Sequence, residues 1–160
     1  MSTRGLVAIM DNDGSCRSIY CHHDMYPSHA GVVLPEHYAT REAVEALLAL
    51  GDLSALGCSL AECEAYCRDR GEELHTLTQW NDRWVLAREA FDRFWANYCY
   101  LFMDGGWFCS DGGCWTPVAD WLELKENPTL GAKSCQCLSG RGGLSQKRLL
   151  SLYLGRSCQA

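Results

Sequence analysis

The dipeptide Asp104-Gly105, set between the aromatic-rich runs Tyr98-Cys-Tyr-Leu-Phe-Met103 and Gly106-Trp-Phe-Cys109, restricts the fold more than any other feature of the chain. Asp and Gly both tolerate positive φ, which a two-residue hairpin loop needs, so the two runs are expected to pair as antiparallel strands. An earlier cluster, Asp11-Asn12-Asp13-Gly14, separates the apolar run 5–10 from residues 16–23 and predicts a second hairpin. Side chains alternate along a strand, so Ile19, Cys21 and His23 fall on one face of its second arm. Ser18, Tyr20, His22 and Asp24 fall on the other.

Between the hairpins the apolar period becomes helical. Thr40 caps a helix over 41–50 with Val44, Leu47 and Leu48 as its stripe, Glu42 and Glu45 toward water, and Gly51 as its stop. In 81–95, Trp84, Ala87, Phe91 and Phe94 recur at helical spacing. Ser28 is a candidate cap for an earlier helical stretch that Pro35 is expected to kink or restart. Residues 59–70 read two ways: Ser59-Leu-Ala-Glu62 fits a capping box, whereas Cys63, Ala65 and Cys67 alternate as in a strand. A short apolar segment, 115–124, closes the pattern as a last strand or a turn of helix. With no βαβ alternation, internal repeat or dinucleotide-binding glycine fingerprint, the expected class is α+β. It comprises a single layer of antiparallel sheet, about five strands in two hairpins, with two or three helices over one face.

Charge divides the 160 residues. Residues 1–125 carry 19 Asp/Glu against nine Lys/Arg and form the expected core domain. Residues 126–160 carry Glu126 against Lys133, Arg141, Lys147, Arg148 and Arg156, with two glycine clusters, and read as a basic, loosely ordered extension. An acidic body repels phosphate backbones, so direct nucleic-acid binding is not expected. No apolar run has the ~18–20 residues of a membrane span, and no export signal is visible, so a cytoplasmic location is expected. Eleven cysteines, an odd number without any Cys-x-x-Cys pair, read as reduced, mostly buried thiols. Cys21-His22-His23 leaves a zinc-stabilised structural protein as a lesser alternative; no cofactor or metal is otherwise expected.

The densest polar run is Tyr20-Cys-His22-His23-Asp24-Met-Tyr26-Pro27. His22 and Asp24 share a face, and an oriented imidazole–carboxylate pair there could tune a base. A second cluster, Arg68-Asp69-Arg70-Gly71-Glu72, would complete one polar patch with His22 and Asp24 if the two segments are neighbours. Phe94, Trp95 and Trp107 are the aromatics best placed for partner contact. The candidate binding residues are therefore Tyr20, His22, Asp24, Tyr26, Arg68, Asp69, Arg70, Glu72 and Trp107.

These segments resemble a largely uncharacterised family of small proteins carried by bacteriophages, prophages and plasmids. Shared residues are 1–4, 19–22, 24, 26–27, 34, 37–38, 50–54, 65–66, 68–72 and 98–102, in the same order. The family has Trp where this chain has His23, Gly where it has Met25 and His where it has Cys67, and it lacks Pro35. The resemblance favours a strand over 63–69. It implies an accessory protein that binds a host protein or small nucleotide, plausibly in counter-defence. The alternative is a small hydrolase or nucleotide-processing enzyme using His22 and Asp24, with Arg68 or Arg70 on a phosphate.

Overall fold

The computed structural model describes residues 2–74 and 77–126, with side chains as far as Glu123. In chain order the elements are β1 (Gly5–Met10), β2 (Cys16–His23), α1 (Ala30–His37), α2 (Arg41–Leu48), β3 (Leu53–Ala55), β4 (Glu64–Ala65), α3 (Tyr66–Arg70), β5 (Thr78–Trp80), α4 (Arg83–Phe94), β6 (Tyr98–Met103), β7 (Gly106–Ser110), β8 (Thr116–Pro117) and α5 (Val118–Glu126). Both expected hairpins form. Met10 lies opposite Cys16 in β1–β2, and Met103 opposite Gly106 in β6–β7. Asp104 and Gly105 take φ of 52° and 77°, the left-handed pair that this tight turn demands.

The sheet itself corrects the sequence reading. Among the described residues it has eight strands, in the order β4-β3-β2-β1-β6-β7-β8, with β5 also on β2. It is mixed rather than antiparallel, since β1 runs parallel to β6 and β2 parallel to β3. Parallel neighbours require a crossover, and the 24–52 connection, which holds α1 and α2, is one. Helices cover both faces, not one. α4 packs against β1, β2, β5 and β6, while α1, α2 and α5 lie against β1, β7 and β8 and join the opposite core. In the central β1, Val7 and Ile9 therefore enter one core while Leu6 and Ala8 enter the other. Such a strand reads as a continuous apolar run and hides its period.

Local capping explains the remaining differences. The expected strand over 63–69 is only Glu64–Ala65, after which the chain turns into α3. Asp69 Oδ2 accepts the Ala65 N–H at 2.8 Å, and Gly71 at φ 69° ends the helix, so polar closure of one turn overrides the alternation. Ser59–Glu62 is a turn, not a helix start; the Ser59 carbonyl takes the N–H groups of Glu62 and Cys63. Thr40 caps α2 as expected, its side chain accepting from the Ala43 N–H. Ser28 does not cap α1: His29 holds that position without a side-chain bond, and the helix runs through Pro35 for two further residues. In α4 the buried side is Leu86, Ala87 and Ala90, rotated from the expected stripe so that Trp84 is exposed. Apart from its first residue, the expected extension 126–160 lies outside the described residues.

Candidate functional site

The edge of β2 is shared between two strands. β5 pairs with Cys16–Ser18 and β3 with residues 21 and 23, which leaves the backbone at residue 20 between them. There the Tyr20 N–H donates to Asp52 Oδ1 at 2.8 Å, so a carboxylate from the α2–β3 link stands where a strand carbonyl would. The Tyr20 side chain goes to the α4 face. Its ring stacks on Phe94 with centroids 6.2 Å apart, and its hydroxyl meets His22 Nδ1 at 2.8 Å.

His22 lies level with Ser54 across the parallel β2–β3 pair. Ser54 Oγ accepts from Arg70 Nη2 at 2.9 Å, so α3 brings a guanidinium to the imidazole end of β2. Arg70 also pairs with Glu64 and lies over the Tyr66 ring, 4.7 Å from its centroid. Partial desolvation lowers the His22 pKa from its ordinary 6.5, and the charges of His23, Arg4 and Arg70 lower it further. Positive charge thus gathers at this corner of an acidic chain.

Beside it runs an open groove of about 350 Å3, lined by Tyr20, Asp52, Arg93, Phe94 and Trp95. Trp95 ends α4 at φ 50°, and the residue is 73% exposed. The Arg4 guanidinium stands 5.9 Å from the Trp95 ring centroid. A reciprocal pair fixes this neighbourhood: the Arg4 N–H donates to Asn97 Oδ1 and the Asn97 N–H to the Arg4 carbonyl. Arg4 Nε is buried without an acceptor, and among the described residues Arg4 makes no ion pair.

The expected patch is therefore only partly assembled. Tyr20, His22 and Arg70 meet. Glu72 lies close enough to Arg70 to add to its field. Asp24 does not pair with His22; Tyr20 holds the imidazole, while Asp24 is exposed at a left-handed φ of 61° in the turn leaving β2. Arg68 turns into its own loop, donating to the carbonyls of Leu60 and Cys63 and to Asp69, whose pKa this pairing lowers to about 2. Both are thus structural. Tyr26 sets its ring against His29 instead. Trp107, expected at the surface, is 6% exposed; its indole N–H donates to the Tyr38 carbonyl at 2.8 Å beneath α1. Arg4, Asp52, Ser54 and Tyr66 are not among the binding residues expected from the sequence, because their roles come from strand order.

Among the described residues no group of three or more His, Cys, Asp or Glu side chains is placed to hold a metal ion. A larger groove of about 610 Å3 lies at the opposite end of the sheet, between the two hairpin turns and Ala39–Arg41. Of its charged groups, Asp11 and Arg41 are committed to each other, and Asp104 is exposed in the β6–β7 turn. Comparison with family models, with curated proteins and with solved structures gives no match, so the site is read from its own chemistry.

Proposed function

We propose that this chain is a non-catalytic binding module whose partner docks on the aromatic and cationic face running from Trp95 and Arg4 through Tyr20 and His22 to Tyr66 and Arg70. The observation that carries the reading is the exposed Trp95 beside an arginine without an acidic partner. Trp, Tyr and Arg are the side chains that contribute most at binding sites, because they combine large contact area with fixed polar geometry. Catalysis is not favoured: the imidazole is held by a phenol rather than a carboxylate, and Arg68 is tied into its loop. The resemblance to mobile-element proteins supports placing this binding in a host cell, directed at a host protein or small nucleotide and serving counter-defence. No helix among the described residues is long and apolar enough to cross a membrane.

Capture from bacterial lysate, with both proteins and small molecules identified by mass spectrometry, tests the reading. A species bound by the natural chain and lost with Trp95→Ala or Arg70→Ala supports it. Identical capture by all three overturns it.

A further inference from the structure

Trp95 is anomalous in two ways at once. It occupies the left-handed position that ends a helix, where glycine is normally favoured because a side chain crowds the carbonyl. It also leaves most of an indole in water. Backbone strain that brings no burial points to a role outside the fold.

Around that indole the groove offers three kinds of chemistry. Tyr20 and Phe94 add ring surface. Asp52 spends Oδ1 on the Tyr20 N–H, and among the described residues no side chain or backbone group donates to its Oδ2. Arg93 lines the groove while pairing with Glu89 on the exposed side of α4, and Arg4, just outside the lining, stands over the Trp95 ring without an ion pair among the described residues. The volume, about 350 Å3, lies at the low end of the roughly 300–1,000 Å3 typical of small-molecule sites. Such a groove accommodates a single planar ring with a charged substituent. The acidic body opposes a long polyanion, but one phosphate needs only local charge.

Resting on the binding-face reading above, the geometry points to a nucleoside monophosphate as the occupant of this groove. The base stacks on Trp95, the nucleoside donates a hydrogen bond to Asp52 Oδ2, and the phosphate is held by Arg4 and by Arg93, which exchanges its exposed Glu89 pair for it. A bare phosphate would meet the Asp52 carboxylate without the stacking that offsets it, so the base is required for binding.

Calorimetric titration of the full chain with AMP, CMP, GMP and UMP, and with ribose 5-phosphate, tests this. At least one nucleotide is expected to saturate at millimolar concentration or below. Ribose 5-phosphate should bind at least about fivefold more weakly, the lower end of what stacking one base contributes. Trp95→Gly should weaken the nucleotide at least about fivefold without lowering the melting temperature, which separates lost binding from lost folding. In Arg4→Gln the advantage of a nucleotide over its nucleoside should shrink. No saturation by any of the four, equal binding of ribose 5-phosphate, or unchanged affinity in Trp95→Gly each overturns the nucleotide. If nucleotides fail while lysate capture still depends on Trp95 and Arg70, the face is a protein-docking surface. The binding-face reading then stands and this occupant does not.

Discussion

At the scale of single residues, two tryptophans expected to behave alike have opposite tasks. Trp107 is buried and hydrogen-bonded beneath α1, so Trp107→Ala leaves a cavity and an unpaired Tyr38 carbonyl. A loss of about 3–5 kcal/mol in urea unfolding is expected. Trp95→Gly removes a strained side chain that buries little, and should leave stability within about 1 kcal/mol of the natural chain, at or above it. A larger loss would mean that the indole supports the fold. Gly5 is fixed by a different constraint: a Cβ there would lie 2.8 Å from Met25 Cβ and from the Tyr98 carbonyl oxygen. Met25 is wholly buried, and its carbonyl accepts from the Tyr100 hydroxyl, so neither neighbour has room to yield. Gly5→Ala should cost about 1–3 kcal/mol by the same measurement. The left-handed residue of this turn is Asp24, one position before Met25, so the methionine needs no positive φ. His22 gives a pH test. Its lowered pKa means that the neutral ring is the favoured folded form. Any stability it contributes is present above the ordinary value of 6.5 and is lost as pH falls through the lower folded value. The imidazole NMR midpoint should lie below 6.5 and rise toward it in Arg70→Ala; a midpoint unmoved by that change would place the guanidinium elsewhere.

At the scale of elements, the site depends on how β2 divides its edge between β3 and β5. Asp52 fills the gap, so Asp52→Ala leaves the Tyr20 N–H without its acceptor. Hydrogen bonds to charged acceptors are worth roughly 1.5–3 kcal/mol. Partial exposure of Asp52 puts the expected loss at the lower end of that range, with Asp52→Asn milder because an amide carbonyl can still accept. Hydrogen exchange at the Tyr20 amide should accelerate in Asp52→Ala; unchanged protection would show that the strands close the gap unaided. None of this could be read from residue 52 alone. Hairpins are legible because Asp104-Gly105 and Asp11–Gly14 carry their turn chemistry locally, and α2 because Thr40 and Gly51 mark its ends. β3 and β5, three residues each, carry no periodic signal and exist only because β2 offers them an edge. Cys63, Ala65 and Cys67 alternate, yet the Asp69 cap and Gly71 stop make 66–70 a helix; only Cys63 and Ala65 are deeply buried. The candidate site suffered from the same gap. His22 and Arg70 could be named as residue types, but their meeting depends on β3 lying between them.

At the scale of the whole molecule, helices on both faces of the sheet decide the chemistry of the cysteines. Cys16, Cys21, Cys99 and Cys109 lie on strands with one face or the other closed above them. Burial pushes the Cys16 thiol up to about 11 and the Cys21 thiol to about 12, and raises that of Cys99 as well. Thiolate is the reactive form, so these side chains should be inert while the protein is folded. Cys58 and Cys114 are exposed and Cys67 is half-buried, and none of the eight described cysteines forms a disulfide. Brief alkylation of the native chain at neutral pH, followed by peptide mass spectrometry, should therefore modify Cys58 and Cys114 first among the described cysteines and Cys67 more slowly. Cys16, Cys21 and Cys99 should react only after urea is added. Two layers of helix make that contrast, since a sheet covered on one face would leave either Cys16 and Cys99 or Cys21 open to solvent, these belonging to opposite cores. Labelling of Cys21 in the native chain would mean that the layer of α1, α2 and α5 is not closed, and labelling of Cys99 that the α4 layer is not. The groove at Trp95, which needs α4 seated beside β2, would lose its far wall with it.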